Sequence, residues 1–369
     1  MHLTPSGCLP TKHAAAPRTL AVKKKTVRVI TSTAEFARYV GLARTTVSRV
    51  LNGQPGLKAK TIDRVQRAMD ETGFTPNAYA IRLKGKGTAT IGICMEDLLT
   101  PTAVKKLAAL QRVFRTAHYT SLIEVLEPGG SRQLIRHFLS MRVEAVVFIG
   151  HFPVEELTQR IAELNASATP HVVIDHVGIP NAHSVTLDRA HGMVDVVDHL
   201  VDQGHRTFGL LGISARLHGR LGRMHGIMQA LEKHGLPFAQ STRSLDHLHV
   251  RENDFEYGRI LAASFATLKD RPTAFLALND EIAIGAMHGL QAAGLDIPGD
   301  AAVVGFNNQE ICAMTRPTLT SIDQQIGETI RVGAEVLLGQ IGQPPRAKPI
   351  LRTIEPRLIV RQSTDPKLA

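Results

Sequence analysis

From Ala89 onward, short apolar segments alternate with longer amphipathic ones. Helices such as AVKKLAALQRVFRTAH and RAHGMVDVVDHLVDQG lie between eight segments with the composition of buried strands: TIGICM, SLIEVL, AVVFIG, HVVIDH, SVTLD, FGLLGI, AFLALN and AVVGF. This alternation predicts parallel sheets covered by helices on both faces. The region is too long for one sheet, so we expect two doubly wound α/β subdomains, with small ligands bound at the carboxyl ends of the strands.

Ahead of this region, the stretch Thr33–Asn52 predicts two short helices joined by a turn at Gly41. Both halves carry an apolar stripe, and the second half carries hydroxyls and guanidiniums on its other face: Arg44, Thr45, Thr46, Ser48 and Arg49. Such side chains contact phosphates and base edges in the major groove of DNA. The pattern indicates a helix-turn-helix with its recognition helix at about Thr45–Asn52. An amphipathic helix pair in another kind of bundle is the alternative.

A third helix is predicted to start at Thr61 and to end at Gly73. Its predicted apolar face comprises Ile62, Val65, Ala68 and Met69. Three helices in so short a stretch would form a small bundle.

The segment Asn77–Leu83 has room for about two helical turns, which is too short to be stable alone. Lys84 and other cations surround Leu83. A leucine in that setting can wedge between base pairs in a minor groove while the cations hold phosphates. The alternative is a linker helix that docks Leu83 on the next domain.

The positive charge of the chain lies in its first quarter. Up to Gly87 there are 16 Lys and Arg against 4 Asp and Glu, whereas the rest of the chain has 27 against 29. A localised basic segment is typical of a protein that binds a polyanion. A basic tail that only increases solubility is the alternative for Lys23–Lys25.

Several classes of protein are disfavoured. Cys8, Cys94 and Cys312 are too far apart in sequence for a zinc motif or a disulfide framework, no apolar run would span a bilayer, and the N-terminus has no convincing export signal. We therefore expect a cytoplasmic, nucleoid-associated protein without a membrane partner.

The sequence contains no P-loop, HExxH or GxSxG motif, so we predict no catalytic residue, cofactor or metal. We interpret the Asp246–His249 run as a polar loop. A carbohydrate-binding protein or enzyme with the same two-lobed core is the alternative.

Five motifs, in this order, resemble the LacI/GalR family of bacterial transcriptional repressors. They are TTVSRVLNG at 45–53, KAKTIDRVQRAMDETGFTPNAYAIRLKGK at 58–86, HLVDQGHR at 199–206, ALNDEIAIGAMHGLQAAGLDIPGDAAVVGF at 277–306 and PTLTSIDQ at 317–324. The resemblance extends from about Thr31 to Arg361. It implies a homodimer with a DNA-binding headpiece, a hinge helix that folds on double-stranded operator DNA, and a two-lobed core that binds a small-molecule effector.

The resemblance also implies the roles of residues. Arg44 and Thr45 match the positions that open the recognition helix and choose bases, and Leu83 matches an intercalating side chain of the hinge. The predicted DNA-binding residues are Arg44, Thr45, Thr46, Ser48, Arg49, Asn52, Asn77, Ala80, Leu83 and Lys84.

Six positions match the effector crevice of the family: Asp97, Asp175, Arg223, Asn279, Asn307 and Gln324. Where many members carry an acidic pair, this chain has Asn307 and Asn308, near Arg220 and Arg223. Losing that negative charge favours an anionic ligand. We therefore expect a sugar or a sugar acid, such as gluconate.

The predicted domains are a disordered basic extension at 1–30, a helix-turn-helix domain at 31–75, a hinge helix and linker at 76–88, and an effector-binding and dimerisation core at 89–369. The tail after Arg361 has no leucine heptads, which favours a dimer over a tetramer.

Overall fold

The computed structural model describes residues 30–51, 54–75, 87–126, 131–213, 222–245, 253–345 and 348–368. The chain divides into an N-terminal unit, the headpiece, and a C-terminal unit, the core. Each unit is described by itself. Within the described residues, no helix is long and apolar enough to cross a membrane.

The headpiece contains three helices: α1 (Thr33–Val40), α2 (Arg44–Leu51) and α3 (Ala59–Thr72). The hydroxyl of Ser32 accepts a hydrogen bond from the backbone N–H of Glu35 at 3.1 Å and so caps α1. Gly41 ends α1 with φ at 70°, a left-handed conformation that glycine adopts without a steric penalty. The helix-turn-helix that the sequence predicts is therefore present.

The headpiece core is small, and its centre is a pair of stacked rings. Phe36 and Phe74 lie 4.2 Å apart between ring centroids, and both are buried. The other buried apolar side chains of this core are Ala37, Val40, Val47, Val65 and Ala68. The prediction for Ile62 was wrong: its side chain is 36 % exposed, because it lies in the first turn of α3 and does not join this core.

The core unit consists of two lobes, each built on a six-stranded sheet. The first-lobe strands are β1 (Thr90–Met95), β2 (Thr120–Val125), β3 (Ala145–Ile149), β4 (His171–Ile174), β5 (Ser184–Leu187) and β11 (Leu351–Ile354). Their spatial order is β11-β5-β4-β3-β1-β2, and every pairing is parallel.

The second lobe repeats this plan with one antiparallel edge. Its strands are β6 (Phe208–Leu211), β7 (Thr242–Ser244), β8 (Ala274–Ala277), β9 (Ala302–Phe306), β10 (Thr320–Asp323) and β12 (Arg357–Ile359). The order is β12-β10-β9-β8-β6-β7, with β12 antiparallel to β10.

Helices cover both sheets. They are α4 (Pro101–Thr116), α5 (Ser131–Ser140), α6 (Val154–Ala166), α7 (Arg189–Asp202), α8 (Arg223–Lys233), α9 (Phe238–Ser241), α10 (Asp254–Ala266), α11 (Asp280–Ala292) and α12 (Ile326–Leu338), with short 3-10 turns at Glu310–Ala313 and Pro366–Leu368. Chain segments cross between the lobes after β5, after β10 and after β11, so that α7 packs in the second lobe and α12 in the first.

The prediction of two doubly wound sheets is confirmed, and all eight predicted strands are present. Four further strands, β7, β10, β11 and β12, were not predicted. β11 is a largely exposed edge strand and β12 a half-buried one, whereas β10 buries the polar residues Thr320 and Ser321. None of the four has the long apolar run on which the prediction depended.

Candidate functional site

The outward face of α2 is polar, and its inward face packs on the headpiece core through Val47, Val50 and Leu51. Val47 is fully buried, whereas Arg44, Thr45 and Arg49 are exposed. The guanidinium of Arg49 donates to the carbonyl of Pro55 at 3.5 Å. Helix α2 therefore presents hydroxyl and guanidinium groups outward, the chemistry that reads phosphates and base edges.

Five of the predicted DNA-binding residues lie outside the described residues: Asn52, Asn77, Ala80, Leu83 and Lys84. Thr46 and Ser48 lie within α2 and are half-buried beside Val47.

In the core, a crevice of about 190 Å³ opens between the lobes at the carboxyl ends of β1, β3, β4 and β10. Parallel sheets place the ends of their strands and the starts of the following helices at one edge, which is where ligands of such folds bind. The lining residues are Met95, Glu96, Asp97, Thr100, Thr102, Ala103, Lys106, Ile149, Gly150, His151, Asp175, Arg189, Arg223 and Gln324.

Asp175, directly after β4, is the buried acid of the crevice. Its side chain is 3 % exposed and forms ion pairs with Lys106 and with Arg189, the latter at 3.1 Å. Burial by itself would raise the pKa of Asp175, but the charges of Lys106 and Arg189 outweigh burial and hold that pKa well below its usual range. The three groups therefore form a buried, charged triad.

Arg223, the first residue of α8, is also a buried cation, but it differs from Lys106 and Arg189 in its contacts. Its guanidinium carbon lies 4.2 Å from the centroid of the Phe306 ring, and its Nε has no hydrogen-bond partner. Desolvation, and then the nearby charge of Arg189, lower the pKa of Arg223 to about 9. No ion pair joins Arg223 to any residue that the structure describes. The guanidinium can therefore accept an anion.

The rim of the crevice carries Glu96, Asp97 and His151. The Glu96 carboxylate accepts from the backbone N–H of His151 at 2.7 Å, and burial raises the pKa of Glu96. Desolvation, followed by the positive charge of Arg189, lowers the pKa of His151. A neutral imidazole and two carboxylates suit the hydroxyls of a ligand, since each can form hydrogen bonds with them.

Two family models match the sequence. "Bacterial regulatory proteins, lacI family" matches residues 34–77, and "Periplasmic binding protein-like domain" matches residues 197–364. Together they cover the helix-turn-helix and most of the second lobe. The chain carries a LacI-family DNA-binding domain and, after it, a periplasmic-binding-protein-like domain.

Curated relatives agree with this assignment. The chain is 27 % identical over 336 residues to catabolite control protein A of Priestia megaterium, covering 89 % of this chain and 98 % of that protein. It is 28 % identical over 308 residues to the protein of the same name from Staphylococcus aureus strain N315, covering 82 % and 90 %. Together with the match to bacterial regulatory proteins, these relatives are regulators and not enzymes.

Solved structures share the fold of this chain. The Lac repressor dimer bound to operator and an anti-inducer matches with a TM-score of 0.78 and 24 % identity, over 90 % of this chain and 99 % of that one. A LacI-family protein from Silicibacter pomeroyi matches with a TM-score of 0.74 and 22 % identity, over 91 % and 99 %.

Four of the six predicted effector residues line the crevice: Asp97, Asp175, Arg223 and Gln324. Asn307 is held against the crevice wall, where its side-chain oxygen accepts from the amide of Gln324. Asn279 is not among the lining residues. Its side chain caps α11 by accepting from the N–H of Ile282 at 2.9 Å, and donates to Asp254 at 2.6 Å.

The predicted preference for an anionic ligand depended on two asparagines, Asn307 and Asn308, and two arginines, Arg220 and Arg223. Asn308 is engaged outside the crevice, because its oxygen accepts from the guanidinium of Arg361 at 2.7 Å. Arg220 and the Asp246–His249 run lie outside the described residues.

Sequence reasoning missed Lys106, Arg189 and His151. Lys106 carried a signal, since it lies on the buried face of α4 with Ala103 and Leu110, where an apolar residue is normal. Arg189 is likewise buried in the first turn of α7. A cation on an apolar helix face points to a buried anion, and here that anion is Asp175.

Proposed function

We propose that the protein is a ligand-responsive, sequence-specific DNA-binding regulator that represses genes of carbohydrate or sugar-acid metabolism. The observation that carries this proposal is the exposed row of hydroxyl and guanidinium groups on α2 of a helix-turn-helix. The crevice between the lobes would receive the effector. Such a regulator acts on the nucleoid.

On the DNA, a homodimer would place two copies of α2 in successive major grooves of a pseudopalindrome, about one helical turn apart. Arg44 suits the O6 and N7 edge of guanine, where a bidentate contact is worth about 1–3 kcal/mol of discrimination. Asn77, Ala80, Leu83 and Lys84 would form a hinge over the central minor groove, with Leu83 as the wedge.

The proposed domains are a basic extension at 1–30, the helix-turn-helix DNA-binding domain at 31–75, the hinge helix and linker at 76–88, and the effector-binding and dimerisation core at 89–369. Binding of the effector would change the equilibrium between two arrangements of the lobes, and operator affinity would follow that equilibrium.

The effector that the crevice suits best is a sugar or a sugar acid such as gluconate. Arg223 offers a guanidinium without an acid partner among the described residues, and Asp97, Glu96 and His151 offer partners for hydroxyls. An interior of about 190 Å³ favours a small metabolite over a drug-sized ligand, whose pockets measure about 300–1,000 Å³.

The DNA part is tested by selecting binding sites from a random double-stranded library with the purified full-length protein. We expect a pseudopalindrome with its half-sites about one turn apart. Leu83→Ala should then lose affinity for the selected operator and keep its effector affinity, whereas Leu368→Ala, an exposed leucine in the core, should keep both. Unchanged operator binding by Leu83→Ala would reject the hinge assignment.

The effector part is tested by thermal-shift measurements with neutral sugars, aldonates and their phosphates. A ligand that binds only the folded state raises the Tm by mass action. Stabilisation by gluconate and not by glucose is expected, and stabilisation by neutral sugars alone would reject the acid as the effector.

A further inference from the structure

The ion pair between Asp175 and Arg189 joins the two lobes. Asp175 follows β4 in the sheet of the first lobe, and Lys106 comes from α4 of the same lobe. Arg189 instead opens α7, whose residues Met193 and Val196 pack in the core of the second lobe. The Nη2 atom of Arg189 donates to Asp175 across the crevice at 3.1 Å.

The interior of the crevice holds more positive than negative charge. Lys106, Arg189 and Arg223 are all at least nine-tenths buried as residues, and Asp175 is the acid that lies among them. Glu96 and Asp97 are more exposed, at the rim, and each accepts a backbone N–H bond, Glu96 from His151 and Asp97 from Leu99. Asp175 is therefore the acid that forms ion pairs with the buried cations. A buried guanidinium without an acid is costly, so the interior is suited to one more anion.

We propose that Asp175 is a resident counter-anion that competes with the anionic group of the effector for Arg189. An anionic effector therefore opens the Asp175–Arg189 ion pair between the lobes as it binds Arg223 and Arg189. A neutral sugar leaves that pair closed. This proposal rests on the proposed function of the crevice. In it, the charge of the ligand decides whether the ion pair between the lobes opens.

A different role for Asp175 makes the opposite prediction. If its carboxylate bound a ligand hydroxyl directly, removing its charge would weaken every ligand, neutral or anionic. If it competes with the ligand, removing its charge leaves Arg189 available and strengthens the binding of anions. The sign of one substitution therefore separates the two roles.

The experiment uses Asp175→Asn in the full-length protein, with D-gluconate, D-glucose and inorganic sulfate as probes. We expect gluconate to bind about tenfold more tightly than to the wild type, because one nearby negative charge is gone. Glucose affinity should not rise. Weaker binding of both gluconate and glucose by Asp175→Asn would overturn the proposal.

Asp198→Asn is the matched control. Asp198 also contacts two basic side chains, Lys233 and His234, each at 2.6 Å, but it lies on the surface of the second lobe. Sulfate, compared with chloride at equal ionic strength, should raise the Tm of Asp175→Asn by more than that of Asp198→Asn or the wild type. Equal shifts in all three would reject the resident counter-anion.

Asp175→Asn leaves two buried cations without their acid and can fail to fold without an added anion. Refolding in sulfate, but not in chloride of equal ionic strength, would then support the proposal, and failure in both would count against it. A second variant, Arg189→Met, should bind gluconate less tightly and glucose as before. The Tm shift with sulfate and the binding of a selected operator are independent measurements. Absence of the sulfate effect together with normal operator binding would reject the counter-anion role of Asp175 and leave the proposed function standing.

Discussion

The headpiece and the crevice use polar side chains in opposite ways. On α2 of the headpiece, Arg44 and Thr45 are exposed and a local helix pair positions them. In the crevice, Asp175, Lys106 and Arg189 are buried and already paired with each other. A surface that binds DNA needs exposed polar side chains that can exchange water for phosphates and base edges. An effector site can instead use buried charges whose pairing changes when a ligand binds.

The two regions also differ in how they are stabilised. The headpiece has one small core with two stacked rings, whereas each lobe has a covered sheet with large apolar cores on its faces. The stability of the headpiece therefore depends on few side chains, and substitutions should affect the two units separately.

The largest expected effect is on the headpiece core. Phe36→Ala removes a fully buried ring that stacks on Phe74 at 4.2 Å, and should cost about 3–5 kcal/mol of headpiece stability. Operator binding should be lost, while the Tm shift produced by the effector should remain. Phe36→Leu, which keeps most of the volume, is the control. Loss of effector binding in Phe36→Ala would show that the two units are not separate.

The second effect is on the pH dependence of stability. Mild acid should lower the stability of the core more than that of the headpiece, because residues 30–75 contain no histidine and the core has several. His171 is 2 % exposed, and burial lowers its pKa to about 4. The unfolded chain binds a proton near pH 6.5 that the folded chain does not, so stability falls as the pH drops from about 6.5 to about 4. This one group accounts for about 3 kcal/mol over that window.

Urea unfolding of the core between pH 7 and pH 4.5 measures this dependence. His171→Gln should show a shallower loss of stability with acid than the wild type. His225→Gln, at an exposed histidine of α8, should follow the wild type. An identical slope in His171→Gln and the wild type would contradict the burial argument.

The smallest effect should be one of specificity. Arg44→Met should reduce the preference of the protein for guanine at one operator position by about 1–3 kcal/mol, measured by competition between the selected operator and a base-substituted one. Arg38→Met removes an exposed arginine of α1 and serves as the control. If both variants discriminate like the wild type, Arg44 does not read a base.

Much of the fold was predictable because its signals are local. The helical spacing in Thr33–Asn52 and the apolar runs of β1, β3 and β9 lie in single short stretches of sequence. Strand β10 was missed because Thr320 and Ser321 are polar although buried, and their hydrogen bonds go to Ser363 and Asp280. Partners so far along the chain leave no local pattern.

The same contrast between local patterns and distant contacts explains which predicted effector residues line the crevice. Asp97 and Asp175 both line the crevice, because each lies within two residues of the end of a strand whose carboxyl end forms its edge. Asn279 follows a strand as well, but its side chain caps α11. The spacing of an Asn before a helix fits both roles, and only its observed partners decide between them.

By itself, the sequence determined the helix-turn-helix, the two α/β lobes and the polar face of α2, since periodicity and the position of Gly41 are properties of adjacent residues. Only the tertiary structure decided that Lys106, Asp175 and Arg189 meet, because this requires two lobes, two strand ends and two helix faces to converge. Ion pairing between residues 69 and 14 positions apart is a product of packing, which no local pattern encodes.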